Sequence, residues 1–225
     1  MNRDFMSEQE RLHSQIAKKL GLTTKDPKEL FVGLLKSVKR IGINELIKYL
    51  ENETDFFEAP ASTRFHGNYK GALVQHSLNV YTLLAIKNNQ YHLGLSDENV
   101  ILSALLHDVC KTNFYILEAK NKKIYSDTGK LHDQLGNFYW ESRLGYGVED
   151  KFPLGHGEKS MSIVSDFIKL EDVEKMLIRW HMGPFSSRGD YDFNNACDWN
   201  PAIAAIYTAD FESSVLFEET REYIE

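Results

Sequence analysis

Ile101-Leu102-Ser103-Ala104-Leu105-Leu106 is composed for a protein interior and runs directly into His107-Asp108-Val109-Cys110-Lys111. An ionised carboxylate at the end of such a run costs on the order of several kcal/mol unless charge or hydrogen bonds compensate it. Two arrangements would do so: a metal ion, or a buried ion pair or hydrogen-bonded cap. Neighbouring residues of a helix point about 100° apart, so His107 and Asp108 could both reach one ion lodged against the helix. The choice between the two rests on the remainder of the chain.

Helical spacing recurs through most of it. Leu12, Ile16 and Leu20 predict a narrow amphipathic helix over 7–20 closed by Gly21. Asp26-Pro27 starts a second helix, with Leu30, Phe31, Leu34, Leu35 and Val38 as its stripe, and a third runs over 43–50. Residues 52–69 read as a loop. A helix over 72–87 carries His76 inside its apolar stripe, and Asp97 is expected to cap the helix that ends at His107-Asp108. After Pro153-Leu154-Gly155, His156 opens the stripe that continues through Ser160, Ile163, Val164 and Phe167. Val173, Leu177 and His181 recur every four residues, and a last helix over 201–219 places Asp210 among core positions.

The period changes between these helices. Residues 114–118, 123–126 and 138–142 predict short strands with Asp127-Thr128-Gly129 as a turn, a β-hairpin inserted at about 113–150. Residues 186–197 read as an acidic loop that includes Arg188. The expected fold is therefore mainly all-α, a helical bundle forming one domain over 1–225, with 1–55 as an N-terminal helical extension.

Charge and composition narrow the partners. Lys and Arg number 26 against 33 Asp and Glu, a net charge of −7, which disfavours long nucleic acid. Two cysteines, Cys110 and Cys197, lack the spacing of a disulfide scaffold or zinc ribbon. The first residues lack the apolar core of a signal peptide, and no segment has about 18 successive apolar residues, so a soluble cytoplasmic protein without membrane partners is expected. His13 and His92 read as surface residues, and His132-Asp133 lacks apolar flanks.

A single His on an apolar stripe is more often a satisfied core residue than a ligand. Here five helices deliver His76, His107 with Asp108, His156, His181 and Asp210 inward, and four imidazoles with two carboxylates suit divalent transition metals. The order His76, His107-Asp108, Asp210 resembles the signature of the HD superfamily of metal-dependent phosphohydrolases, and His156 and His181 resemble its two-metal subset. The similarity spans roughly residues 56 to 215. Ala59-Pro60-Ala61, His66, Tyr69, Lys70-Gly71-Ala72-Leu73 and His76-Ser77-Leu78 resemble the entry to the HD domain of bacterial 3′→5′ exoribonucleases. Those carry an oligonucleotide-binding β-barrel ahead of the domain, where this sequence reads as helices.

The resemblance implies that His76, His107, Asp108 and Asp210 hold one ion and His156 and His181 a second, with Asp108 bridging. The ions would come from Mn, Fe, Mg, Co, Ni and Zn. It further implies hydrolysis of a nucleotide or small phosphate ester by a metal-activated hydroxide, with Asp108 and Lys111 catalytic. Lys111 reads either as an electrostatic donor to phosphate or as a helix-end cation matching the dipole. Arg64, His66, Tyr69, Lys70 and Lys159 are candidates for substrate binding, against an ordinary polar loop and surface. Three other functions fit the same ligand set: an exoribonuclease-like phosphodiesterase, a di-iron oxygenase, and a non-catalytic metal-containing regulatory module.

Overall fold

A computed structural model describes residues 5–186 and 190–221. Three helices come first: α1 (Phe5–Leu20), α2 (Pro27–Ser37) and α3 (Ile43–Asn52). Asp26 caps α2 by accepting the Glu29 amide at 3.0 Å, and Pro27, whose missing N–H is not needed there, sits in the first turn. Leu30, Phe31, Leu34 and Leu35 are fully buried, and Phe31 packs on Phe56 and Phe57 with ring centroids 4.9 and 5.5 Å apart. The loop from 53 to 71 then leads into α4 (Ala72–Tyr91).

Helix α4 is the axis of the bundle. From Ala72 to Leu84 every side chain but Gln75 is buried, so the helix is enclosed on all sides rather than along one stripe. Its hydroxyls are satisfied locally: Ser77 and Thr82 donate to the Leu73 and Leu78 carbonyls. Helix α5 (Asp97–Leu106) packs along α4. Its cap is Ser96, not Asp97. Ser96 and Asn99 exchange side-chain to backbone hydrogen bonds in a capping box, which leaves Asp97 in the first turn. Asp108 lies beyond the helix, before a 3₁₀ turn over Val109–Lys111.

The insertion is a ribbon of three antiparallel strands in the order β1 (Tyr115–Tyr125), β3 (Gly136–Val148), β2 (Leu131–Asp133). The two strands expected before the turn are one: Ala119 to Lys122 stay paired, to Leu144 through Glu141. The turn itself falls as expected, closed by Gly129 N–H to the Ser126 carbonyl at 2.8 Å. Helices α6 (His156–Ser165) and α7 (Asp172–Trp180) follow, then a 3₁₀ turn over Gly183–Ser186, α8 (Asp190–Trp199) and α9 (Ala202–Glu212). The expected loop over 186–197 is thus mostly helix, while Arg188 lies outside the described residues. The last helix is shorter than its apolar spacing predicts, because the backbone widens to a π turn over Ser213–Phe217. His13, read as a surface residue, is 6% exposed, on the inner side of α1.

One arginine ties the frame together. Arg40, between α2 and α3, pairs with Glu98 at 3.1 Å, Glu171 at 2.9 Å and the fully buried Glu174 at 2.8 Å. Asn99 also donates to Glu174 at 3.1 Å. The N-terminal ends of α5 and α7 are thereby fixed to each other, and their opposite ends carry His107 and His181. Among the described residues no helix is long and apolar enough to cross a membrane.

Candidate metal centre

Two of the imidazoles are presented by the same device. His107 and His181 each follow the last residue of a helix, α5 and α7, in right-handed helical geometry. Each ring Nδ1 lies 2.7 Å from the carbonyl oxygen three residues back, Ala104 or Ile178. A carbonyl only accepts, so Nδ1 carries the proton and the Nε2 lone pair points into the interior. His76 is oriented by a carboxylate instead: its Nδ1 donates to Glu218 at 2.8 Å and its Nε2 faces inward.

These nitrogens meet the carboxylates of Asp108 and Asp210. His76 Nε2 stands 3.1 Å from His107 Nε2, 3.1 Å from Asp210 Oδ1 and 3.5 Å from Asp108 Oδ2. His107 Nε2 is 3.3 Å from the same Oδ2. The other oxygen of Asp108 faces His156 Nε2 at 2.9 Å and His181 Nε2 at 3.4 Å. Asp108 therefore divides its two oxygens between two pairs of histidines.

Burial and charge are steep here. His76, His107 and His181 are fully buried, and Asp108 is 1% exposed. Burial disfavours a charged ring at His76, but Glu218 and Asp210 outweigh it and raise its pKa to about 10. At His156 burial is outweighed by Asp108 and Cys110, which raise it to about 9. Burial opposes ionisation of Asp108, yet Lys111 and His107 hold it well below the usual carboxylate range, and His76 brings Asp210 to about 2 in the same way. The donor set fits a divalent cation. His181 Nε2 is buried without a hydrogen-bond partner, and the Nε2 atoms of His76 and His107 converge at 3.1 Å with both Nδ1 atoms engaged elsewhere. A divalent ion bound there would take the place of the proton on His76 Nε2 and give the unpartnered His181 Nε2 a partner.

Glu218 carries no signal in the sequence's apolar spacing. It lies just past the π turn, 6% exposed, and accepts from His66 Nδ1 at 2.7 Å, His76 Nδ1, Ser213 and Asn79. Burial would raise its pKa, but His76 and His66 hold it well below the ordinary range. Its neighbour Glu219 and the acidic end of the chain disguise it as part of a solvated tail.

The remaining candidates separate. Lys111 Nζ bonds Asp108 Oδ2 at 2.6 Å and the Ala61 carbonyl at 2.8 Å, so it clamps the loop before α4 onto the bridging carboxylate. Tyr115 reaches the same carbonyl at 3.1 Å. Lys111, His66, His156 and Asp210 line a cleft of ≈ 320 Å³ walled by Phe114, Tyr115, Met182, Tyr207 and Phe211. Lys159 stands behind it, bonded to Asp150 at 2.8 Å with its ammonium 5.1 Å from the Phe114 ring. Tyr69 is buried and donates to Gln75, Lys70 is exposed and pairs with Glu58 at 3.3 Å, and Arg64 is exposed beside Phe65; these three do not line the cleft.

The sequence profile of the HD domain matches residues 73–202, which takes in His76, His107, Asp108, His156 and His181 and stops short of Asp210. A curated relative, the dihydroneopterin 2′,3′-cyclic phosphate phosphodiesterase of Methanocaldococcus jannaschii, is 38% identical over 64 residues. That alignment covers 26% of this chain and 25% of the relative, so it spans about a quarter of the relative's length. No solved structure matches significantly.

Proposed function

Because this chain belongs to the HD domain family, we propose that it is a divalent-metal-dependent phosphohydrolase acting on a nucleotide or a related small phosphate ester. The observation that carries the proposal is Asp108, whose two oxygens face His76 and His107 on one side and His156 and His181 on the other. In this reading His76, His107, Asp108 and Asp210 hold one ion and His156 and His181 a second. Ions held there would supply Lewis-acid activation of the phosphoryl group and of a water molecule.

The chain's own residues supply the rest. Glu218 fixes the proton of His76 on Nδ1 and so keeps Nε2 available as a ligand, a carboxylate–histidine arrangement that orients a metal ligand and raises its basicity. Lys111 holds Asp108 in place and puts a fixed positive charge at the cleft wall, where negative charge on a phosphate would gather. The aromatic wall of Phe114, Tyr115, Tyr207 and Phe211 suits a planar base, and the cleft is of the size that takes a small ligand. The relative's name denotes a cyclic phosphodiesterase, which supports trying diesters first. Long nucleic acid is the poorer partner for a chain of net charge −7. In this reading residues 1–55 form a helical extension and 113–150 a ribbon inserted into one catalytic domain.

Elemental analysis of purified protein, followed by a metal-replete screen of 2′,3′-cyclic nucleotides, mononucleotides and nucleoside phosphates, tests the reading. Bound divalent metal with metal-dependent release of a phosphate product is expected. Iron with oxygen consumption and no hydrolysis would replace it with the oxygenase reading; neither metal nor hydrolysis would end it.

A further inference from the structure

A second pocket of ≈ 300 Å³ adjoins the metal cleft, and Thr63 lines both. Its walls come from three separate segments: Arg64 from the loop before α4, Lys120, Lys122 and Arg143 from the ribbon, and Arg221 from the end of the described chain. No carboxylate lines it among the described residues. Five cations surround one small pocket in a chain of net charge −7, three of them paired with carboxylates that lie outside its lining, so the pocket itself presents positive charge.

The ribbon's register gathers them, with Lys122 opposite Glu141 as the one favourable cross-strand charge pair among them. Lys120 and Arg143 are direct cross-strand partners, and like charges directly opposite destabilise a sheet. Gly145 makes room for the first of them: a Cβ there would stand 2.9 Å from Lys120 Cδ, so the lysine stem lies across the glycine. The other walls are held in position. Arg221 and Asn68 exchange two 2.7 Å hydrogen bonds through the Arg221 backbone, and the Arg221 guanidinium lies 3.8 Å from the centre of the Tyr69 ring. Carboxylates two residues away in sequence, Glu118, Glu141 and Glu219, pair with Lys120, Arg143 and Arg221 and are not part of the pocket's lining.

We propose that this basic pocket is a subsite for a second phosphate of the substrate, held beyond Thr63 while the scissile phosphate sits at the metal centre. The proposal rests on the phosphohydrolase reading above and narrows it to substrates bearing two phosphates, either a nucleoside bisphosphate or a short oligonucleotide. No bond is made or broken at the subsite. Arg64 returns as a binding residue, at this pocket instead of the cleft.

Paired probes test it: adenosine 2′,3′-cyclic phosphate, the same compound with a 5′-phosphate, and a 5′-phosphorylated dinucleotide ending in a 2′,3′-cyclic phosphate. In the wild-type protein the 5′-phosphate should raise kcat/KM by about tenfold, the scale of a charge-assisted contact. In the Lys120→Gln/Arg143→Gln variant that ratio should fall to about one. Preference for the phosphorylated nucleoside or for the dinucleotide identifies the source of the second phosphate. A ratio near one in the wild type, or an unchanged ratio in the variant, overturns the subsite. Should no probe be hydrolysed, the phosphohydrolase reading fails by itself, and calorimetric titration with pyrophosphate still decides the subsite. Weaker binding to the variant supports it, and equal affinity for the two proteins refutes it.

Discussion

At the scale of single residues, Asp108 is the shared element of the proposed centre and Glu218 its hidden support. Asp108→Ala should abolish binding of both ions, whereas His181→Ala should leave about one per chain, since His76, His107 and Asp210 remain; metal analysis after dialysis distinguishes them. Glu218→Gln keeps the shape and removes the charge that fixes His76. It should weaken metal affinity by about 10- to 100-fold with the far-ultraviolet circular dichroism unchanged, and undiminished affinity would deny Glu218 its supporting role. The six inward polar residues were visible in the sequence because each lies within an apolar stripe or directly at its end. Glu218 has no such stripe around it: its burial depends on the π turn after Glu212, which no local spacing announces. Lys111 was readable as a cation near Asp108, but its bond to the Ala61 carbonyl joins residues 50 positions apart, which sequence spacing does not reveal.

Among the elements, α5 and α7 act as paired levers held at one end by Arg40. Arg40→Met would leave Glu174, whose side chain is 0% exposed, without its main counter-charge. The expected loss is about 3 kcal/mol in urea-induced unfolding, partly restored by adding Glu174→Gln; a loss under about 0.5 kcal/mol would show that Asn99 and the α7 capping bond suffice. Helices with dense apolar stripes were legible to within a few residues. Elements whose order comes from pairing or distant packing were not. The polar stretch Ala119-Lys120-Asn121-Lys122 looks like a break in a strand, yet it remains extended because β3 supplies its hydrogen bonds. Helix α8 is disguised by Asp and Asn, while Phe193, Ala196 and Cys197, which pack into or against the core, mark its inner side.

For the whole molecule, protonation competes with the proposed metal binding for the same rings. In the metal-free chain His76 and His156 have pKa values raised to about 10 and about 9, above the ordinary 6.5. Their contribution to stability is then complete below pH 6.5 and disappears as pH rises through 9 to 10. Metal-free protein should accordingly melt at progressively lower temperature above about pH 9, while metal-loaded protein should not. Near neutral pH ions bound at the proposed centre would displace those protons, so calorimetry in buffers of different ionisation enthalpy should register about two protons released on loading. No buffer dependence would mean that the rings are already neutral. The bond between His76 and Glu218 closes a loop of 142 residues, which has a consequence for biogenesis. Contacts so remote in sequence form late, after the local helices. In chain order His76 precedes its orienting carboxylate by 142 residues, so the proposed ligand is made long before the group that positions it. At the proposed centre, metal capture would accordingly follow the closing of this long-range contact instead of preceding it.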